Sequence, residues 1–219
     1  AASAPTVNNA INWIQQLYIN QMRGKVPGAG ADEAFRSDAV SHIRSFQAAD
    51  GGLRWFSGMS TSVSVTLYFL EKMGQLRQVG AVEVSSEESA VISAALKYVD
   101  SYLVRAYSSL KPKDVPHFAY VTAMSVRSQW LDYPMGNDAA KVFRQFLSGT
   151  EENWQKISIL QKAGLIRTLQ RCEGTEFWEK GFSKRIKALA GSLADYAVEN
   201  SSRLLLVDKV HIDGARILY

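Results

Sequence analysis

The fold is decided by the stretch Phe46–Met59, which reads FQAADGGLRWFSGM, because helices on both sides are organised around it. Gly51 follows a helical run, at the position where a residue of positive φ closes a helix, and Gly52 lets the chain fold back over that end. The next residues, 60–62, offer hydroxyl groups to the first amides of a helix that we expect to begin near Val63. The sequence therefore predicts a helix, a tight aromatic turn and a second helix.

Apolar residues recur every three or four positions along most of the remaining chain, which indicates about eight helices. The helix from Val63 and the one that includes Phe118 carry apolar residues on more than one face, so we expect both to be buried on several sides. The segment Trp178–Tyr196 has a single apolar stripe with lysines opposite, as an outer helix would. Helices that alternate in this way predict an all-α fold of stacked helical hairpins.

Carboxylates mark several predicted helix starts. Ser85 and Glu88 have the spacing of a capping box for a fourth helix that runs to about Ala106. Paired carboxylates at 32–33, 87–88 and 151–152 each fall in the first turn of a predicted helix. Negative charge suits the positive end of the helix dipole, which explains these pairs better than acid–base catalysis does.

The pattern changes after Arg203. The apolar runs Leu204–Val207 and Val210–Ile212, an Asp213-Gly214 turn signal and an apolar chain end predict short strands or a β-hairpin over 203–219. A chain of 219 residues is long enough for one large domain or two small ones; we expect one domain over 1–219, with a sizeable core. The start without a methionine suggests a mature or excised piece of a larger protein.

Composition is ordinary for a globular protein, with 47% hydrophobic and 21% charged residues and a net charge of +4. The densest basic group, at 180, 184, 185 and 187, has the spacing of the outer face of an amphipathic helix, so we interpret it as solvated surface and expect no nucleic-acid partner. No apolar run is long enough to cross a membrane.

The run from Gln47 to Trp55, of the form Q-x-x-D-G-G-L-x-W, resembles the repeat turn of alpha/alpha toroids. It is similar in particular to the helical, thioester-domain-like domain of bacterial alpha-2-macroglobulin-like proteins, and the similarity extends from about Val7 to about Tyr196. About eight helices are fewer than a full toroid needs, so the resemblance implies an arc or an incomplete ring. The turn motif consists of Gln47, Asp50, Gly51, Gly52, Trp55, Phe56 and Gly58.

The resemblance implies a non-enzymatic interaction domain without a cofactor. Proteins of this family trap or block proteases, or act in host interaction, in the periplasm, the cell envelope or the extracellular space. Their helical domain packs against β-sandwich neighbours in the same chain. Neighbouring domains and proteases are therefore the expected partners. Three alternatives stay open: an alpha/alpha toroid enzyme acting on polysaccharide as a lyase or glycoside hydrolase, a plain helical-repeat adaptor, and an unrelated helical bundle with a Gly-Gly helix end.

Few residues suggest chemistry. The three histidines, His42, His117 and His211, lie on separate elements without metal-ligand spacing, so we expect no metal site. Aromatic residues could line a ligand cavity or belong to the core, and core is the commoner case. If the helices form an arc, the candidate contacts on its concave face are Tyr68, Tyr98, Tyr102, His117 and Tyr120.

The single cysteine, Cys172, is followed by Glu173-Gly174-Thr175, whereas the family's thioester motif is Cys-x-Glu-Gln. Threonine has no carboxamide from which ammonia could leave, so the thioester cannot form locally. We therefore expect Cys172 to be a free thiol with a structural role, and any capture of a target to be noncovalent. We also expect Trp55 to be largely buried against the helices beside its turn.

Overall fold

The computed structural model describes residues 4–108, 118–149, 157–194, 197–200, 203–207 and 217–218. Internal contacts divide the chain into two compact units. The first unit contains residues 1–105 and 132–136, and the second contains residues 106–131 and 137–219. The single domain over 1–219 stays a prediction, and the two units are described separately.

Four helices build the first unit. They are α1 (Ala10–Arg23), α2 (Glu33–Ser45), α3 (Val63–Gln78) and α4 (Ser86–Ser108). The residues of α4 after Arg105 are assigned to the second unit. Helix α1 packs against both α2 and α3. Apolar side chains from all four helices form the core, among them Ile14, Leu17, Ile43, Leu70, Met73, Ile92 and Val99.

Polar side chains fix where these helices begin. Asn9, Asp32 and Ser62 have extended backbones, and their side chains accept hydrogen bonds from amides of the first turns of α1, α2 and α3. The predicted start of α3 at Val63 is confirmed. Gly80, with φ of 61°, closes the same helix, also as expected from the sequence.

The predicted capping box of α4 is confirmed. The Ser85 amide donates to Glu88 Oε2 at 2.8 Å, and the Glu88 amide donates to Ser85 Oγ at 3.2 Å. The buried Glu88 carboxylate also forms a two-bond ion pair with Arg36 of α2, with N···O distances of 3.0 and 2.7 Å. Glu88, in the first turn of α4, thus completes the capping box and also joins α4 to α2.

A short segment from later in the chain, Asp132–Gly136, belongs to the first unit, and we call it the return segment. Arg77 of α3 donates two hydrogen bonds to the Asp132 carboxylate, at 3.1 and 2.8 Å. The hydroxyls of Ser89 and Tyr133 lie 3.2 Å apart. Side chains from α3 and α4 therefore hold this segment.

The second unit also has a helical core. Its helices are α5 (Phe118–Arg127), extended by a 3-10 turn (Ser128–Trp130), α6 (Asn137–Gly149), α7 (Ile159–Arg171) and α8 (Phe182–Ala194). Helix α7 packs against both α5 and α8. The core includes Met124, Trp130, Phe143, Leu147, Leu165, Leu169, Phe182 and Leu189.

The prediction that the basic residues of the outer helix are all exposed is wrong at one residue of the second unit. Helix α8 begins at Phe182, after Trp178, and Lys180, Lys184 and Lys187 are exposed as expected. Arg185, however, is buried, and its guanidinium donates to the carbonyl of Leu147 near the end of α6. The predicted exposure of Arg185 is wrong because its guanidinium lies over the Phe182 ring, 5.0 Å from the ring centroid, and donates to a carbonyl near the end of another helix.

Strands are confined to the chain end in the described residues. Strands β1 (Ala197–Asn200), β2 (Arg203–Val207) and β3 (Ile217–Leu218) form an antiparallel sheet in that order. Leu205 pairs with Val198, and Leu206 pairs with Leu218. The Asp213-Gly214 turn signal lies outside the described residues.

The fold is all-α, as predicted, because helices form the cores of both units. The arrangement of these helices as a toroid-like arc stays a prediction. In the described part of the chain, no helix has the length and apolar character needed to cross a membrane.

Candidate functional site

The candidate site is the turn between α2 and α3, and its backbone is tightly closed. Gly51 has φ of 87°, which confirms the predicted left-handed residue. The Gly51 amide donates to the Ala48 carbonyl at 2.9 Å, and the Ala48 amide donates to the Gly52 carbonyl at 2.9 Å. The turn folds back on the end of α2 as the two glycines predict.

Gln47 joins this turn to another helix. Its side-chain Nε2 donates to the Gly51 carbonyl at 2.9 Å and to the Val91 carbonyl of α4 at 3.0 Å. One amide group therefore holds the turn closed and fixes it against α4. This explains why the motif needs a side chain with two N–H donors at this position.

Asp50 has an equally complete set of partners. Its Oδ1 accepts from the Gly52 amide at 3.0 Å, and its Oδ2 accepts from the Thr61 hydroxyl at 3.1 Å. Each carboxylate oxygen thus bonds within the turn, in the manner of an aspartate that stabilises a turn. The arrangement supports a structural role for Asp50.

The glycines also allow a close approach to α4. A Cβ on Gly51 would stand 2.2 Å from the Ala94 carbonyl oxygen, and a Cβ on Gly52 would stand 2.7 Å from the Tyr98 ring. Only residues without side chains fit this contact. Tyr98, an expected concave-face residue, is buried here as the cover of Gly52.

The expectation that Trp55 is buried is wrong. Its side chain is 43% exposed, as is that of Phe56, and Met59 is 49% exposed. Leu53, at 0% exposure, is the residue that fills the interior beneath the turn, and its amide donates to the buried Thr66 hydroxyl at 2.9 Å. Because Leu53 occupies this space, the larger ring of Trp55 lies at the surface.

The exposed residues sit on a fixed backbone. The Trp55 carbonyl accepts from the Ala10 amide at 3.1 Å, which joins the turn to the start of α1. The Phe56 carbonyl accepts from the Met59 amide at 3.2 Å, and Gly58, with φ of 83°, completes this tight turn. We call the exposed side chains of Val7, Trp55, Phe56 and Met59 the apolar tip.

The other expected concave-face residues have different surroundings. Tyr120, in the second unit, is buried and packs edge-on against Phe146, with 5.6 Å between ring centroids. Tyr68 and Tyr102, in the first unit, are partly exposed. His117 lies outside the described residues, as does the third acidic pair, Glu151-Glu152. Whether these residues share a concave face stays a prediction.

Tyr68 takes part in a contact that the sequence analysis missed. Lys72 Nζ lies 5.4 Å from the centroid of the Tyr68 ring and 4.9 Å from that of Tyr18 on α1. The i, i+4 spacing of Tyr68 and Lys72 places them on one face of α3, and the sequence could have predicted their contact from that spacing. Tyr18 could not be found in this way, because it comes from another helix.

His42 is accounted for by packing. Its ring stacks on Trp13 of α1, with centroids 4.0 Å apart and an interplanar angle of 11°. Its Nε2 lies 3.6 Å from an Asp38 carboxylate oxygen. Among the described residues, no cluster of three or more His, Cys, Asp or Glu side chains is arranged to hold a metal ion. His211 lies outside them.

Cys172 is a free and fully buried thiol, as expected. It is the C-cap that follows Arg171, the last residue of α7, and its carbonyl accepts from the Thr175 hydroxyl at 2.7 Å. Burial raises the pKa of this thiol to about 12. The thiol is therefore protonated at neutral pH, which opposes nucleophilic chemistry at this residue.

Comparison with models of known protein families and with curated proteins gives no match. The resemblance to the alpha-2-macroglobulin-like helical domain therefore depends on the motif between Gln47 and Trp55 and on the helices around it.

Proposed function

We propose that this chain is a non-enzymatic interaction domain that presents the apolar tip to a partner. One observation carries the proposal: Trp55, Phe56 and Met59 are exposed on a turn whose backbone is held by hydrogen bonds to α1 and across the turn itself. Exposed apolar patches rimmed by polar residues mark interaction surfaces. Tryptophan, phenylalanine and methionine are also enriched at protein interfaces.

The polar residues of the same motif support this reading. Gln47 and Asp50 direct their side chains to partners within the first unit. Their hydrogen bonds build a rigid support for the tip, and rigidity lowers the entropy cost of binding. The motif thus separates into an inner part that stabilises the fold and an outer part that is free to make contact.

We propose by resemblance that the larger protein belongs to the bacterial alpha-2-macroglobulin-like group, that it acts in the periplasm or cell envelope, and that proteases and neighbouring domains are its partners. The motif from Gln47 to Trp55 is the support for this assignment. Any capture of a protease is noncovalent, because Cys172 is buried and lacks the glutamine of the thioester motif.

The proposal is tested by mixing the 219-residue chain with trypsin, chymotrypsin and elastase, each inactivated at its catalytic serine, and measuring complex formation by light scattering after size-exclusion chromatography. A complex that dissociates in SDS and weakens in a Trp55→Ser, Phe56→Ser variant is expected. A Val79→Ser variant is the matched control, since Val79 is 51% exposed at the end of α3.

The enzyme alternative has a direct test of its own. Reducing-sugar and unsaturated-uronate assays across acidic and neutral glycans are expected to stay flat. A clear signal that is lost when Tyr68 or His117 is replaced would place the polysaccharide-active enzyme first and overturn the proposal.

A further inference from the structure

The apolar tip has three properties that narrow the choice of partner, which are its shape, its size and its lack of charge. The shape is convex, because Trp55, Phe56 and Met59 lie on and beside one tight turn, and residues 55–60 are all exposed. A convex tip does not enclose a small ligand, since small-molecule sites are concave. The partner must therefore either offer a concave pocket or deform around the tip.

The tip is too small for a stable interface between two copies of the chain. A fully covered aromatic side chain buries about 150–250 Å², so four side chains that are about half exposed present roughly 300–400 Å². A stable protein interface needs about 800 Å² from each partner, so a protein that binds the tip must also contact other surface of the chain. A lipid surface does not require a minimum contact area of this size, because its headgroup region rearranges around apolar side chains that insert into it.

Charge favours a lipid surface of low net charge. Residues 1–22 include no charged side chain, and none lies between Arg54 and Glu71. These two uncharged segments meet at the tip, where the Ala10 amide bonds to the Trp55 carbonyl. Exposed residues between the apolar ones, such as Ser57 and Ser60, are small and neutral.

We propose that the apolar tip inserts shallowly into the interface of a zwitterionic lipid surface, with the Trp55 and Phe56 rings at the level of the headgroups. Tryptophan prefers this level, and a tip without charge enters it without electrostatic attraction to anionic lipid. The inference rests on the proposed function, since it uses the same exposed tip, but it adds a lipid surface to the protein partners and has a separate test.

The test uses the 219-residue chain and sedimentation with phosphatidylcholine vesicles. We expect binding that falls at least about tenfold in the Trp55→Ser, Phe56→Ser variant, because two apolar side chains of the tip are lost. The Val79→Ser variant, with an equally exposed residue elsewhere in the first unit, is expected to bind as the parent chain does. Thermal melts establish that both variants are folded.

Charge and depth give two further readouts. Replacing about a fifth of the lipid by phosphatidylglycerol is expected to change binding by less than about fivefold, the effect of one basic residue at the surface, because the tip carries no basic residue and Arg54, next to Trp55, is half-buried. Lipid brominated in its acyl chains is expected to quench tryptophan fluorescence of the bound chain. A Trp55→Phe variant, which keeps an aromatic ring, is expected to bind but to lose most of this quenching.

Four outcomes would overturn the inference. They are absence of binding to the neutral vesicles, undiminished binding by the doubly substituted variant, binding that requires phosphatidylglycerol, and a dimer in sedimentation equilibrium that the double substitution abolishes. The last outcome would assign the tip to a second copy of the chain. If vesicle binding fails while the protease complex forms and still depends on the tip, the lipid inference alone fails and the interaction function stands.

Discussion

The carbonyl oxygen of Ala94 lies where a side chain on Gly51 would have to begin, because a β-carbon there would stand 2.2 Å from that oxygen. The neighbouring atom is backbone within α4 and cannot rotate away. Gly51 also has φ of 87°, a conformation that costs an L-residue about 1–2 kcal/mol. Both effects act at the same residue, so this contact fixes the identity of the motif's first glycine.

We expect Gly51→Ala to lower the free energy of unfolding by about 3–5 kcal/mol, which combines backbone strain with displacement of α4. The measurement is urea denaturation followed by circular dichroism. Gly58→Ala is the matched control, since Gly58 has a similar φ of 83° but no atom within 4 Å of the added carbon. Its loss should be about 1–2 kcal/mol. Equal losses in the two variants would show that contact with Ala94 is unimportant.

Trp55 and Trp130 provide a comparison between an exposed and a buried tryptophan. Trp55→Ala should cost less than about 1.5 kcal/mol, because the ring is already 43% exposed. Trp130→Ala should cost about 3–5 kcal/mol, because that ring is fully buried in the second unit. Thermal melts of the two variants measure the difference. A larger loss for Trp55 would mean that the tip is covered in solution.

The ion pair of Arg36 and Glu88 should be the most sensitive electrostatic contact in the first unit. Arg36→Ala would leave the Glu88 carboxylate, with 2% side-chain exposure, without its charged partner, at a cost of about 3–5 kcal/mol. Arg44→Ala is the control, because Arg44 and Glu87 are exposed and their pair is worth less than about 1 kcal/mol. Urea denaturation of both variants, with and without added salt, measures the two losses in the free energy of unfolding. A loss from Arg36→Ala no larger than that from Arg44→Ala would contradict this assignment.

This ion pair should not make stability depend on pH in the neutral range. Hydrogen bonding to Glu88 raises the pKa of Arg36 above its ordinary value. A basic group with a raised pKa contributes fully below its unfolded pKa and loses that contribution only as the pH rises through the folded value. The contribution of Arg36 is therefore fully present throughout the neutral range.

Cys172 should make the fold sensitive to alkaline pH. The pKa of its thiol is raised from 9.0 to about 12 by burial, so the unfolded chain loses the proton at lower pH than the folded chain does. Stability from this group is complete below pH 9.0 and falls as the pH rises towards about 12. Urea denaturation at pH 7, 9 and 10.5 measures the loss, and Cys172→Ala should remove this part of the dependence. An unchanged slope in that variant would contradict the assignment.

Intact mass gives an independent check on the same residue. The native chain should have the mass of its unmodified sequence, and methylamine should add nothing, because Thr175 cannot supply an acyl group to Cys172. A mass lower by one ammonia, with methylamine incorporation and a newly titratable thiol, would show that a thioester is present.

Local features were predictable from the sequence because their causes are local. The conformation of Gly51, the start of α3 at Val63 and the capping box of Ser85 and Glu88 each depend on neighbours within a few residues. Helical periodicity likewise predicted an all-α fold. These local predictions are correct because the tertiary packing favours the same local conformations.

Features that depend on distant residues were not predictable in this way. Trp55 is exposed because Leu53 fills the interior, and a motif cannot show which of two large side chains turns inward. Arg185 is buried because the carbonyl of Leu147, on another helix, needs a donor. The contact of Lys72 with Tyr18 also requires knowing that α1 and α3 are neighbours. In these cases the environment of a side chain is set by residues on other parts of the fold, which the local sequence pattern does not show.

The return segment, Asp132–Gly136, makes the first unit discontinuous in sequence. Asp132 is synthesised 24 residues after Ser108, the last residue of α4, so Arg77 and Ser89 cannot bind their partners until that stretch of chain has been made. Contacts closed over such a long stretch of chain form late, because the loop entropy has to be lost first. A fragment that stops at Arg105 would therefore expose the ends of α3 and α4 that this segment normally satisfies, and chain termination there should yield a product prone to aggregation or degradation.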